Sequence, residues 1–395
     1  MDNAVLREDY DFLCRALMKH PSILVDAQTR KDFMELCQSK IEGISTYEDL
    51  IDAATELTVF FRDGHTNIEV PYSPVDFCVP LRCGWDGRGG LALREEYGGI
   101  PAGAYILGIQ GITVENLISL MSQRIPHENS HLVRSRMLAY PYQNYHVFSE
   151  TSLRYLFGAQ KEYDVTFMVD GESMVKPCRL EKYSGFLDFA DDSDFIGYEI
   201  EGNKAILHLN ACIMNEKYKS TLENLAQLCQ ERQIKSLILD LSRNMGGNSA
   251  VIDEFITYTN AESFRRYEMI DYSSGEPMQI TSRREIVRNK RKPICFPPHI
   301  LCRVSCHTFS SARTFAVTLK DNGIARVIGT ETGGKPNSYG MPRKFAMPAS
   351  KLRFRVSTSY FMRPDASKDD ALTLAIDAIH PKPACQAAEC EEKCT

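Results

Sequence analysis

Between Tyr47 and Phe61 the apolar residues return every three or four positions, so that Leu50, Ala54, Leu57 and Phe61 share one side of a helix. Thr46, with Asp49 three residues later, predicts a capping box at its start, Asp standing in for the usual Glu. "REDYDFLCRALMKHP" reads as another helix, stopped by Pro21. Residues 1 to about 62 are therefore expected to form a helical cap. From about 70 to 195 the period shortens. "DFCVPLRCGW", "GGLALREEY", "AYILGIQGITV" and "YDVTFMVDG" are short β-rich runs parted by Gly-rich turns. They predict a middle β domain, with a PDZ-like module as one reading.

The pattern changes again near residue 196. "KAILHLN", "SLILDLS", "PHILCRVS" and "ARVIG" read as strands, and the second is almost continuously apolar, as a strand buried on both faces must be. Leu222, Leu225, Ala226 and Cys229 mark a helix face between the first two. "SSARTFAVTLKDNG" is a helix between the last two. This order implies an α/β core: a mostly parallel sheet with flanking helices. Residues 262–298 are polar and are expected to form an irregular, lid-like insertion. The expected units are a helical region at 1–69, a β-rich domain at 70–195, the α/β core at 196–382 and an unpatterned, mobile tail at 383–395.

The chain has 395 residues, enough for more than one core, and a formal net charge of −6, which gives no basic field for nucleic acid. The basic stretch Ser282 to Lys292 is local and reads as a solvated loop. No apolar run approaches the roughly 18 residues that span a bilayer, and "MDNAVLREDYDF" is not a leader sequence. A cytoplasmic protein is expected. Most of the 13 cysteines stand singly in apolar runs, as buried reduced thiols do. His380, Cys385, Cys390 and Cys394 lack the close pairs of a zinc site. No metal or cofactor is expected.

Open parallel sheets bind ligands beyond the C-terminal ends of their strands. Two loops leave at that edge. "SRNMGGNSA" follows "LILDL", and its paired Gly246 and Gly247 allow a sharp turn with free N–H groups, either an oxyanion hole or a plain tight turn. "CHTFSSA" follows "HILCRVS" and carries Ser310 and Ser311 into a helix whose buried face is Ala312, Phe315, Ala316 and Leu319. At about 100° per residue, Ser310 projects further from that face than Ser311. A helix N-terminus favours developing negative charge, but both serines could equally serve as caps. A nucleophilic serine needs a base. His65, in the polar turn of "FFRDGHTNIEV", is the first candidate, and Lys335, in "ETGGK", the second. His307 precedes the serines on their own loop and reads as structural.

These residues carry a resemblance. "LILDLSRNMGGN", "CHTFSSARTFAVTLKDNGIARVIGTETGGKPNSYG" and "FFRDGHT" resemble, in family order, motifs of the S41 peptidases, which include tail-specific (C-terminal processing) proteases and the tricorn core protease. The "HP" at His20–Pro21 also resembles the tricorn-like branch. The resemblance implies a ClpP/crotonase-like core and a peptide or protein substrate. It implies Ser310 as nucleophile and His65 as base, with Lys335 as the alternative base or a substrate-positioning group. It also implies an oxyanion hole from the N–H groups of Ser311 and of Gly246 or Gly247. Three departures stand out. Ser242 replaces the family arginine, Arg313 stands where the tail-specific branch has an acidic residue, and no glutamate matches the one that orients histidine, Asp377 being out of register. A non-catalytic protein binding peptides or small hydrophobic ligands on the same scaffold is the competing reading.

Overall fold

The apolar runs near the C-terminal half line up in one five-stranded sheet, in the order Ile196–Glu201, Lys204–Leu209, Ser236–Asp240, His299–Val304 and Arg326–Gly329. In the computed structural model, which describes residues 2–73, 75–86, 89–138, 142–183 and 194–377, this sheet is mixed. Its first pair is antiparallel and the next three are parallel. The other sheets are antiparallel throughout their pairings, so a mostly parallel architecture does not describe the molecule as a whole. Some of these pairs are hairpins closed by tight turns, as Glu162–Val169 with Glu172–Arg179, and others join distant segments, as Asn67–Glu69 with Arg353–Val356.

Helices Glu216–Glu231, Ala250–Thr257 and Ser311–Asp321 connect the parallel strands. Leu237 and Leu239 have no exposed surface, nor do Leu222, Leu225, Phe315 and Leu319 on the helices that cover them. Each such side chain contributes roughly 1.5–3 kcal/mol by leaving water. Gly323 ends the last helix at φ +66°, where a side chain would be strained.

A second core gathers around a six-stranded antiparallel sheet, from Cys83–Trp85 to Glu172–Arg179, with helices Val114–Met121, Ser130–Met137 and Glu150–Phe157. A third is made by the N-terminal helices Asn3–Leu17, Ala27–Lys40 and Tyr47–Val59. The Thr46–Asp49 capping box forms. Pro21 opens the short helix Pro21–Val25 rather than merely stopping its predecessor, which ends at Leu17. The third core is not made by the N-terminal region alone. Met347, Leu352, Phe354 and Val356 join it, and strand Asn67–Glu69 pairs with Arg353–Val356.

The 262–298 segment departs from expectation. It is built of four strands, Ser263–Arg265, Glu268–Asp271, Met278–Thr281 and Ile286–Arg288, not an irregular loop. The described cysteines are free thiols. The tail cysteines and His380 lie outside the described residues. Among the described residues no helix is long and apolar enough to cross a membrane.

Candidate active site

Two loops at the C-terminal edge of the five-stranded sheet are laced together. Thr308 Oγ1 donates to Leu241 O at 2.7 Å, and the Phe309 amide donates to Asn244 O at 3.1 Å. Asn244, fully buried, organises the first loop: its Nδ2 donates to Leu209 O and its Oδ1 accepts the Gly246 amide, both at 2.8 Å. Gly246 is a site of close approach. A Cβ there would meet the Ser310 Cβ at 2.7 Å and the Phe309 carbonyl at 3.0 Å.

Ser310 sits at the junction of loop and helix with φ +53° and ψ −127°. An L-residue in that region is strained by about 1–3 kcal/mol, and such strain gathers at functional sites. The side chain does not cap the helix Ser311–Asp321. Instead Ser310 Oγ lies 2.9 Å from His65 Nε2. Ser311, the first helical residue, is buried and turned the other way, donating to Gly247 O at 2.7 Å. Of the three amides expected at an oxyanion hole, that of Gly246 is spent on Asn244. Those of Gly247 and Ser311 have no partner among the described residues.

The loop carrying His65 is pinned through Asp63, which is fully buried and accepts four hydrogen bonds. They come from the His65 amide at 2.9 Å, Thr66 Oγ1 at 2.7 Å, Ser357 Oγ at 2.6 Å and His20 Nε2 at 3.3 Å. His20 Nδ1 accepts the Ser22 amide, so Nε2 carries the proton given to Asp63. The His–Pro pair thereby ties the first helices to the site. Burial opposes ionisation of Asp63, but the bonds and charges of His20 and His65 prevail and hold its carboxyl well below the ordinary range. The His65 ring stacks on Phe309, centroids 4.6 Å apart.

The remaining predicted residues fall elsewhere. Lys335 is half-buried and makes no hydrogen bond or ion pair among the described residues; it is His65 that meets Ser310. His307 bonds Ser135 Oγ, and burial pushes its imidazole down to about 4, as befits a structural residue. Asp377 pairs with Lys320 and the Val327 amide, far from a role beside His65. The broad cleft between residues 263–286 and 362–367 has neither Ser310 nor His65 on its walls.

Sequence reasoning missed Glu128 and Asn129. Asn129 clamps the 332–334 turn to the helix Ser130–Met137: its Oδ1 accepts the Leu132 and Gly334 amides, and its Nδ2 reaches the Thr332 and Gly334 carbonyls. Glu128 beside it faces the site, where Arg313 also points. A Cβ at Gly334 would meet Glu128 Oε2 at 3.2 Å and Arg313 Nη1 at 2.5 Å. Arg313 is 2% exposed. Nothing in the local sequence marks the pair, but a buried guanidinium needs an anion nearby. Asp63, His65 and Glu128 each bring a ligand-type atom within 4.8 Å of one another. Four donors already engage the Asp63 carboxylate and a guanidinium faces Glu128, so the set suits a hydrogen-bond relay better than a cation.

A serine held at a helix N-terminus, within hydrogen-bond reach of a histidine and beside free amides, defines a serine-hydrolase type of site. Residues 203–372 match the model of Peptidase family S41. No curated protein matches the chain. Among solved structures it is similar to mature CPAF, at 12% identity and a TM-score of 0.66 over 95% of this chain and 92% of that one. It is similar to CPAF complexed with lactacystin, at 13% identity and a TM-score of 0.63 over 91% of this chain and 90% of that one. It is also similar to the photosystem II D1 C-terminal processing protease, at 13% identity and a TM-score of 0.50 over 95% and 93%. These likenesses concern the fold.

Proposed function

We propose that the chain is a serine endopeptidase or C-terminal processing peptidase working through an acyl-enzyme on Ser310, with His65 as general base. The observation that carries this reading is the 2.9 Å contact between Ser310 Oγ and His65 Nε2, on a strained junction that aims the serine away from its own helix. His65 Nε2 takes the hydroxyl proton as Oγ bonds to the scissile carbonyl carbon. The oxyanion is held by the Gly247 and Ser311 amides, each such donor worth about 3–4 kcal/mol of barrier. His65 then protonates the leaving amine as the C–N bond breaks. A water, deprotonated by the same ring, releases the acyl group and restores Ser310. Lys335, next to the clamped 332–334 turn, is assigned to binding or positioning the peptide.

The test is labelling with a fluorophosphonate, which bonds phosphorus to the serine oxygen and expels fluoride, followed by mapping of the modified peptide. Wild type is expected to label at Ser310, His65→Ala to lose labelling, and Lys335→Ala to keep it. Loss with Lys335→Ala alone moves the site to a serine–lysine mechanism. Folded wild type that does not label favours a binding protein.

A further inference from the structure

We infer that Glu128, from the segment ahead of the helix Ser130–Met137, is the acidic residue that orients His65 through Nδ1. This rests on the Ser310–His65 reading and adds the residue that positions the base. If His65 Nε2 accepts the Ser310 proton, Nδ1 must carry one and needs an acceptor. Nδ1 is buried and has no hydrogen bond among the described residues. The adjacent carboxylate, Asp63, lies 3.5 Å away at its Oδ1, beyond a good hydrogen bond, and that oxygen already accepts the His65 amide. Its other oxygen accepts three donors. Asp63 is thus already committed to four donors.

Glu128 is the opposite case. Both its carboxylate oxygens are out of solvent and without a hydrogen-bond partner among the described residues, and one of them lies within 4.8 Å of a His65 and an Asp63 ligand-type atom. Leaving a buried polar group unpaired costs about 1–3 kcal/mol or more, so such a group in a native structure asks for a reason. Two glycines make room for it: a Cβ at Gly64 or at Gly334 would come 3.2 Å from Oε2. Asn129 holds the backbone of the same segment in place. Burial pushes the Glu128 carboxyl above its ordinary range, and Arg313 pulls it back part of the way.

Catalytic hydrogen bonds tighten when substrate arrives, and the closing of Glu128 onto Nδ1 belongs to that step. The proton stays on Nδ1 throughout. As Nε2 receives the Ser310 proton, the imidazolium forms beside a carboxylate anion. The charged and titratable groups facing His65 are Asp63 in its own loop, Glu128, Arg136 on the helix Ser130–Met137 and Arg313 on the helix Ser311–Asp321. The two guanidinium carbons lie 5.5 and 5.6 Å from the Phe309 ring on which His65 stacks.

The experiment measures the fluorophosphonate labelling rate of Ser310 from pH 5 to 9 in wild type, Glu128→Gln, Glu128→Asp and Asp63→Asn, with urea unfolding of each. Glu128→Gln is expected to slow labelling by about 10²- to 10⁴-fold, since losing the acidic member of such a triad costs up to about 10⁴. It should also move the midpoint of the pH profile downward, because the imidazolium loses an anionic neighbour. Its urea curve should show a protein still folded under the assay conditions, although Arg313 loses an anionic neighbour. Glu128→Asp should recover part of the rate. Asp63→Asn should lower the urea midpoint. Glu128→Gln labelling within threefold of wild type, with the same pH midpoint, overturns the inference. So does a midpoint shift found only in Asp63→Asn. Wild type that fails to label at Ser310 overturns the Ser–His reading itself, a distinct result.

Discussion

The backbone strain at Ser310 can be measured without any catalysis, by comparing Ser310→Ala with Ser310→Gly. Both variants lose the hydroxyl and its contact with His65 equally. Neither loses a helix cap, since the Ser310 side chain makes none. They differ in the methyl group, which at φ +53° and ψ −127° keeps the strain of an L-residue in alanine and releases it in glycine. The release is worth about 1–3 kcal/mol. Against it stands the extra freedom of glycine in the unfolded chain, about 0.5–1 kcal/mol. The glycine variant is therefore expected to be the more stable, by roughly 1 kcal/mol. In an ordinary helix or strand the order is reversed. Urea titrations of the two proteins under identical conditions read the sign from their midpoints, provided the slopes agree. A glycine variant less stable than the alanine one by about 1 kcal/mol would falsify the strained junction, and with it the account of how Ser310 is aimed.

Two further outcomes follow from the same geometry. Gly246→Ala places a methyl 2.7 Å from the Ser310 Cβ and 3.0 Å from the Phe309 carbonyl, at φ +108°, and is expected to cut Ser310 labelling at least tenfold with the fold retained; an unchanged rate counts against the close approach of the two loops. Burial holds the His146 imidazole down at about 4, so its neutral form is the one that fits the fold. Between the unfolded value near 6.5 and that folded value the unfolded chain binds more protons, and stability present above pH 6.5 is lost as pH falls toward 4, by roughly 3 kcal/mol for this group. His146→Gln should flatten the decline of the urea midpoint over that window, and an unaltered slope would show that other groups govern it.

The serine, its helix and the Gly-Gly loop were legible because each lies at the end of a strong pattern. "SLILD" can only be a buried strand, and Ala312, Phe315, Ala316 and Leu319 leave one way for the helix to face. His65 was legible as a polar residue in a turn, but its contact with Ser310 depends on Asp63 meeting Ser357, which no local spacing encodes. Glu128 was hidden for the same reason. "RIPHENSH" has no period, and the residue matters only because the turns at 63–65, 128–129 and 332–334 converge. The 262–298 strands escaped because they are three or four residues long and mostly solvent-facing, so alternation has nothing to mark. The antiparallel share of the fold was missed where strands join segments distant in sequence, as Asn67–Glu69 joins Arg353–Val356.

That last pairing bears on how the molecule is born. His65 lies early in the chain, yet its loop is anchored by Ser357, 294 positions beyond Asp63. The helices around it are finished by Met347, Leu352, Phe354 and Val356. A chain leaving the ribosome amino end first thus holds its histidine unsupported through most of translation. Ser310 and His65 are held together only once the closing strands emerge, so, on the proposed function, a half-made copy has no working blade to turn on itself or on its neighbours in the polysome.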